Sequence, residues 1–155
     1  MLNLQIKIEG LDSLKKALEK APEDVVNEVS KALEISLNDI RNRALREAPV
    51  NKQTGGGNLR QKILPVRMIT RLRGEIESAA GYSVYVHEGT KPHIITVVNK
   101  KVLANRRKNQ IFGKVVHHPG TQPNPFLKRA IDKSAKKVEN NFRKALIKVI
   151  KKVSS

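Results

Sequence analysis

Tyr82-Ser-Val-Tyr-Val-His-Glu-Gly-Thr90 opens the stretch on which the fold turns, and His117-His-Pro-Gly-Thr-Gln-Pro-Asn-Pro-Phe-Leu127 closes it. Two Gly-Thr pairs, Gly89-Thr90 and Gly120-Thr121, bracket a basic insertion of strand-forming residues. Three histidines, His93, His117 and His118, lie between those pairs, and His87 stands two residues before the first. Val84 and Val86 alternate with Tyr85 and His87, which predicts a strand. Ile94–Val98 is β-branched and predicts another, with Ile111–Val116 as its antiparallel return. The connection between these two, residues 99–110, carries Lys100, Lys101, Arg106, Arg107 and Lys108 and no acid, so it reads as a basic hairpin tip.

Outward from this stretch the chain predicts helices. Pro22 suits a first helical position, and Glu23 and Asp24 suit the positive end of the dipole. Val26, Val29, Leu33, Leu37, Ile40 and Ala44 recur every three or four residues until Pro49 stops the run. Such a helix is roughly 40 Å long, more than a small sheet covers, so a bend or a second subunit is expected to take up the excess. On the other side, Asn124 and Pro125 predict the start of a helix reaching about Val153. Leu127, Ile131, Ala135, Val138, Phe142, Leu146, Val149 and Val153 form its apolar stripe; Asp132 and Glu139 are its only acids. Leu2–Ile8 alternates as a half-buried strand, and a short helix is expected over Ser13–Lys20. Leu59–Val66 and Arg67–Ile76 read as two strands with a turn near Pro65–Met68. The expected fold is α+β: an antiparallel sheet packed by a long N-terminal and a long C-terminal helix, with a projecting basic hairpin at about 93–118. The 155 residues read as one domain, long enough to bury roughly 70% of the unfolded surface.

Composition narrows the chemistry. Apolar residues make up 39% but aromatics only 3%, so the core must be aliphatic. There is no cysteine, which excludes disulfides, thiolate catalysis and cysteine-based zinc sites. No long apolar run or signal-peptide core is visible, and a soluble intracellular protein is expected. The formal charge of +17 favours nucleic acid, acidic protein surfaces or anionic membranes as partners, although a merely lysine-rich surface has the same composition.

Catalytic readings are poorly supported. Thr54-Gly-Gly-Gly57 lacks the Gly-Lys-Ser/Thr of a phosphate-cradling loop, because Asn58-Leu59-Arg60 follows it. No Gly-x-Ser-x-Gly elbow exists. Adjacent His117 and His118 point to opposite faces of a strand, so they do not chelate one metal together. If the two strands pair, His93 approaches His117 or His118, and with Glu88 they form the one plausible acid–base or metal cluster; the plainer reading is that these side chains brace turns. Most acids lie on the N-terminal helices as solvated faces or end caps. A small basic ribonuclease using His93 and His118, with Tyr82, Tyr85 and Phe112 to stack bases, is the serious enzyme alternative. No helix-turn-helix signal supports a chromosomal DNA-binding module.

Several segments together resemble a known family. Ile8-Glu-Gly-Leu-Asp-Ser-Leu14, Ala48-Pro49-Val50, Thr54-Gly55, Asn58-Leu59-Arg60 with Ile63, Tyr85-Val-His-Glu-Gly-Thr90, His118-Pro-Gly-Thr-Gln-Pro-Asn-Pro-Phe-Leu127 and Pro125-Phe-Leu-Lys-Arg-Ala130 occur in an order similar to that of the gp-ten-like family of bacteriophage HK-ninety-seven. The family comprises small neck, tail-completion and minor tail proteins of long-tailed phages and prophages. This chain departs from the pattern in the extra glycines before Leu59 and in Lys62, where the family has serine. The resemblance implies a virion structural protein without catalysis, cofactor or metal. It would form rings at the head–tail junction and spend the assembly stage in the host cytoplasm. Its expected partners are itself, tail-tube and head-connector proteins and, non-specifically, packaged DNA, with no membrane. The assembly motif would comprise Tyr85, Glu88, Gly89, Thr90, His118, Pro119, Gly120, Pro125 and Phe126. Lys100, Lys101, Arg106, Arg107 and Lys108 would face DNA in the lumen or an acidic partner ring.

Overall fold

A computed structural model describes residues 22–50, 56–98, 102–105 and 109–153. The expected strand at Leu2–Ile8, the short helix at Ser13–Lys20 and most of the glycine-rich loop lie outside the described residues. The elements, in order, are α1 (Glu23–Glu47), α2 (Asn58–Gln61), β1 (Arg67–Thr70), β2 (Arg73–Glu75), α3 (Ser83–Glu88), β3 (His93–Thr96), β4 (Leu103–Asn105), β5 (Gln110–Gly113), β6 (Val115–His118) and α4 (Phe126–Val153). The class is α+β. The chain divides into two compact units, residues 1–84 with 125–155, and residues 85–124.

The first unit holds the core. α1 and α4 run antiparallel along their whole lengths, as their cross-helix pairs show: Glu28 meets Lys148, Asp39 meets Lys137, and Glu47 meets Arg129 and Lys133. This helix pairing accounts for the length of α1, which needs neither a bend nor a second subunit to cover it. Pro22 sits just before the helix with ψ 146, and its carbonyl accepts from the Val25 and Val26 amides. It therefore caps α1 rather than occupying its first turn.

The buried seam overlaps the apolar stripe expected for α4 in part. Leu127, Ala130, Ser134 and Ala145 are buried, whereas Ala135 and Leu146 are exposed. The facing helix buries Ala32, Ser36 and Ala44. Ile131, Val138, Phe142 and Val149 are half-buried along the seam's margin, so the seam lies toward one edge of the expected stripe.

The segment joining the helices is not a pair of long strands. Gly57, at φ 121, enters the short helix α2, where Leu59 is buried. Ile63 then bridges Ser78, with Leu64 N–H donating to Glu77 O and Ala79 N–H to Lys62 O. The hairpin β1–β2 turns at Arg71-Leu72, inside what the sequence presents as a single strand. Gly74 of β2 packs against Leu37 of α1, where a Cβ would collide with the Leu37 side chain. Arg60 donates to Ala48 O at 3.3 Å, and Arg41 donates to Leu64 O and Ile63 O. The Ala-Pro and Leu-Arg segments thus meet where Pro49 has stopped α1 and left a carbonyl free.

The second unit is a ribbon. β3 pairs with β6, and β4 with β5, as two separate two-stranded ladders in place of the one pairing expected. They join where Val97 N–H donates to Lys114 O, and Gly113 (φ 89) lets the chain pass from one ladder to the next. Asn109 adopts φ 49 at the turn into β5, a conformation asparagine tolerates. Val84 and Val86, expected in a strand, lie in the helix α3. None of the buried apolar side chains belongs to residues 85–124 among the described residues.

Candidate functional site

The bracket around the ribbon is built from backbone. Thr90 and Thr121 exchange both amide bonds, Thr90 N–H to Thr121 O at 2.9 Å and Thr121 N–H to Thr90 O at 3.0 Å. The glycines beside them have φ 75 at Gly89 and φ 89 at Gly120. A Cβ on Gly89 would strike Thr121 O, and one on Gly120 would strike Thr90 O. Each glycine therefore makes room for the carbonyl of the opposite threonine, so the two Gly-Thr pairs are one reciprocal clasp. The Thr90 hydroxyl is buried with no hydrogen-bond partner among the described residues, so its backbone closes the clasp. Asn124 N–H donates to Val86 O at 3.0 Å and ties the end of the ribbon unit to its start.

Above the clasp, the register sets His93 opposite His118, with Ile94 opposite His117, Ile95 opposite Val116 and Thr96 opposite Val115. The His93 and His118 rings stack with centroids 4.9 Å apart. His93 Nδ1 lies 2.9 Å from Lys91 O, a carbonyl that only accepts, so this nitrogen carries the proton. Gly120 N–H donates to His118 Nδ1 at 3.0 Å, so that nitrogen carries none. A neutral His118 therefore keeps its proton on Nε2, while His93 leaves Nε2 as an acceptor. Two Nε2 atoms in opposite states do not chelate a metal unless the Gly120 bond is given up. No group of three or more metal-ligating side chains occurs among the described residues. His87 Nδ1 lies 3.5 Å from the Glu88 carboxylate, whose side chain is mostly exposed.

The residues singled out from sequence separate by place. Gly89, Thr90, His118 and Gly120 meet in the clasp, with Pro119 exposed in its loop. Tyr85 is 50% exposed, and Glu88 is likewise on the surface. Pro125 and Phe126 belong to the first unit, where Phe126 is fully buried. Lys100, Lys101, Arg106, Arg107 and Lys108 lie outside the described residues. The strands expected at 94–98 and 111–116 leave Ile94, Val98, Ile111, Phe112 and Val115 exposed, as is Val102. β-branched residues at successive positions, as in Ile94-Ile-Thr-Val-Val98, leave a two-stranded ribbon with an apolar face that it cannot bury by itself.

Glu28, Asp39 and Glu47 of α1 are ion-paired to α4, while Glu23 and Glu34 are solvent-exposed as expected. The Lys133 ammonium, hydrogen-bonded to Glu47, outweighs the effect of burial and, with Arg129 and Arg43, holds that carboxyl below the usual range. Burial pushes the Asp39 carboxyl up, but Lys137 and Asn141 together more than offset it and leave it lowered. Glu23 and Glu75 pair with Arg71 and Arg67, so most described acids are neutralised within the chain and the excess positive charge is left to face outward. No described helix is long and apolar enough to cross a membrane. No protein-family model matches the chain, and no curated protein or solved structure matches it significantly.

Proposed function

We propose that this chain is a structural protein of a phage or prophage virion, acting at the head–tail junction as a tail-completion, tail-terminator or head–tail joining protein. It assembles into a ring around the DNA channel through protein–protein contacts and without catalysis. One observation carries the reading: a 40-residue unit, residues 85–124, buries none of its apolar side chains fully among the described residues, yet its base is closed by a specific clasp. A two-stranded ribbon in water is marginal unless something covers it, so a unit built this way is suited to a partner surface. The clasp coincides with the Glu-Gly-Thr and Pro-Gly-Thr segments that resemble the HK-ninety-seven gp-ten-like family, and this gives those motifs a physical purpose. The charge of +17 suits a protein that meets packaged DNA or an acidic partner ring, with Lys100, Lys101, Arg106, Arg107 and Lys108 as the contacts. Its expected place is the virion, and the host cytoplasm before assembly.

Deleting the coding sequence from the phage or prophage that carries it tests the reading. Filled heads and separate, unjoined tails are expected; joined infectious particles would count against it.

The opposed tautomers of His93 and His118 favour a second reading, a basic ribonuclease with one imidazole as base and one as acid. The stacking opposes it, because rings 4.9 Å apart leave no space between them for a phosphodiester. RNA cleavage lost in His93→Ala or His118→Ala would establish the enzyme and displace the structural role.

A further inference from the structure

The clasp that closes the ribbon contains a titratable acceptor. Gly120 is the left-handed residue of the turn His118-Pro119-Gly120, at φ 89, and its missing Cβ makes room for Thr90 O. Its own N–H donates back across the turn to His118 Nδ1, 3.0 Å away. That bond holds the turn in the shape that presents Thr121 to Thr90, where the two backbones exchange amide bonds at 2.9 and 3.0 Å. His118 is half-buried, so solvent protons reach its ring.

An imidazole has one acceptor nitrogen when neutral and none when protonated. Protonated His118 therefore presents only donors, and a donor does not hold the Gly120 N–H. The proton costs the clasped form this hydrogen bond and costs the open form nothing, so falling pH favours the open form. His93 behaves differently. Its Nδ1 already donates to Lys91 O at 2.9 Å, and its Nε2 takes a proton without disturbing that bond. The ring of a charged His93 then lies 4.9 Å, centroid to centroid, from that of His118, so a second proton enters against a like charge.

The surrounding groups do not offset this. His93 on β3 and His118 on β6 face each other across the ladder, with Ile95 and Val116 next on the same face. His117 lies on the opposite face, across from Ile94. The described cations of the ribbon, Lys91 and Lys114, are exposed, and the sequence contains no acid between Glu88 and Asp132. The Glu88 carboxylate lies 3.5 Å from His87 Nδ1. Among the described residues no carboxylate forms an ion pair with His93 or His118.

We propose that the Gly-Thr clasp is opened by protons. At neutral and higher pH, neutral His118 holds Gly120 and the base of the ribbon stays closed. In mildly acid solution, where imidazoles take up protons, His118 releases Gly120 and the clasp loosens. The device needs no partner, so it goes beyond the neck-protein reading and stands or falls apart from it.

Nuclear magnetic resonance on the full chain tests this with two readouts. At about pH 8 the imidazole nitrogen signals should place the proton on Nε2 of His118 and on Nδ1 of His93. At about pH 5.5 amide exchange at Thr90 and Thr121, corrected for its intrinsic pH dependence, should run about three- to tenfold faster than at about pH 8, the effect of one lost hydrogen bond. The α1–α4 amides serve as the internal reference. His118→Asn keeps an oxygen acceptor in reach of Gly120 and does not titrate, so its exchange at Thr90 and Thr121 should be the same at both pH values. A variant that exchanges fast at both has lost the acid step together with His118 and counts for the proposal. The proposal is overturned if His118 carries its proton on Nδ1, if the wild type shows no acid step, or if His118→Asn accelerates in acid as the wild type does. An acid step absent from His93→Phe would assign the opening to repulsion within the pair and would equally overturn the role of the Gly120 bond.

Discussion

Gly89 and Gly120 show how much of a site two residues can carry. Each holds a positive φ, and each leaves its Cβ space to the other turn's threonine carbonyl. Gly89→Ala or Gly120→Ala is expected to weaken the clasp by about 1–3 kcal/mol. Amide hydrogen exchange at Thr90 and Thr121 would then accelerate about ten- to a hundredfold, with little change in the α1–α4 amides. Protection unchanged from the wild type would mean that the ribbon is closed elsewhere. Phe126 marks the contrasting case of a fully buried core side chain. Phe126→Ala is expected to cost about 3–5 kcal/mol of global stability, read as a lower urea midpoint. The repeated Gly-Thr pair was legible in the sequence because positive-φ turns select glycine. That the two pairs make one another's space was not, because reciprocity depends on a contact across 31 positions of chain that no local rule encodes.

At the scale of elements, the long helices were legible and the short pieces were not. α1 and α4 span 25 and 28 residues, enough turns for helical periodicity to declare itself. α3 has six residues, and Val84 and Val86 in a window that short fit a strand equally well; tertiary context decided for helix. Leu127, Ile131, Val138, Phe142 and Val149 of the expected α4 stripe are buried or half-buried, and only its outer edge, Ala135 and Leu146, is exposed. Hydrophobicity marks Leu146 as core, but a close helix seam prefers Ala130, Ser134 and Ala145. The ion pairs across that seam give a pH dependence. Asp39 and Glu47 both have folded pKa values below their ordinary ones, so the stability they contribute is complete above the ordinary carboxylate range and is lost as pH falls through it. The urea midpoint should therefore drop between neutral pH and about pH 3. Asp39→Asn with Glu47→Gln should lower the midpoint at neutral pH and flatten its fall. A slope identical to that of the wild type would remove these two carboxyls from the acid response.

For the whole molecule, the division of labour is between a unit with a core and a unit without one. The helix pair and the segments flanking the short hairpin, with Ala48, Leu59, Ile63, Ile76 and Ala80, supply every buried apolar side chain described, and residues 85–124 supply exposed apolar surface on a specific clasp. Composition had already announced a surplus of positive charge, and the structure adds that the acids are mostly spent on internal pairs. Replacing Lys100, Lys101, Arg106, Arg107 and Lys108 with glutamate is expected to reduce duplex DNA binding uniformly across sequences and to flatten its dependence on salt. An unchanged salt slope would move that contact to another surface.

Immunogold electron microscopy of the particles produced by the host strain bears most directly on a virion role. Gold is expected at the junction of head and tail, in a single zone on each particle. Particles that carry no label there, with the protein remaining in the cell lysate, would contradict a structural role at the neck.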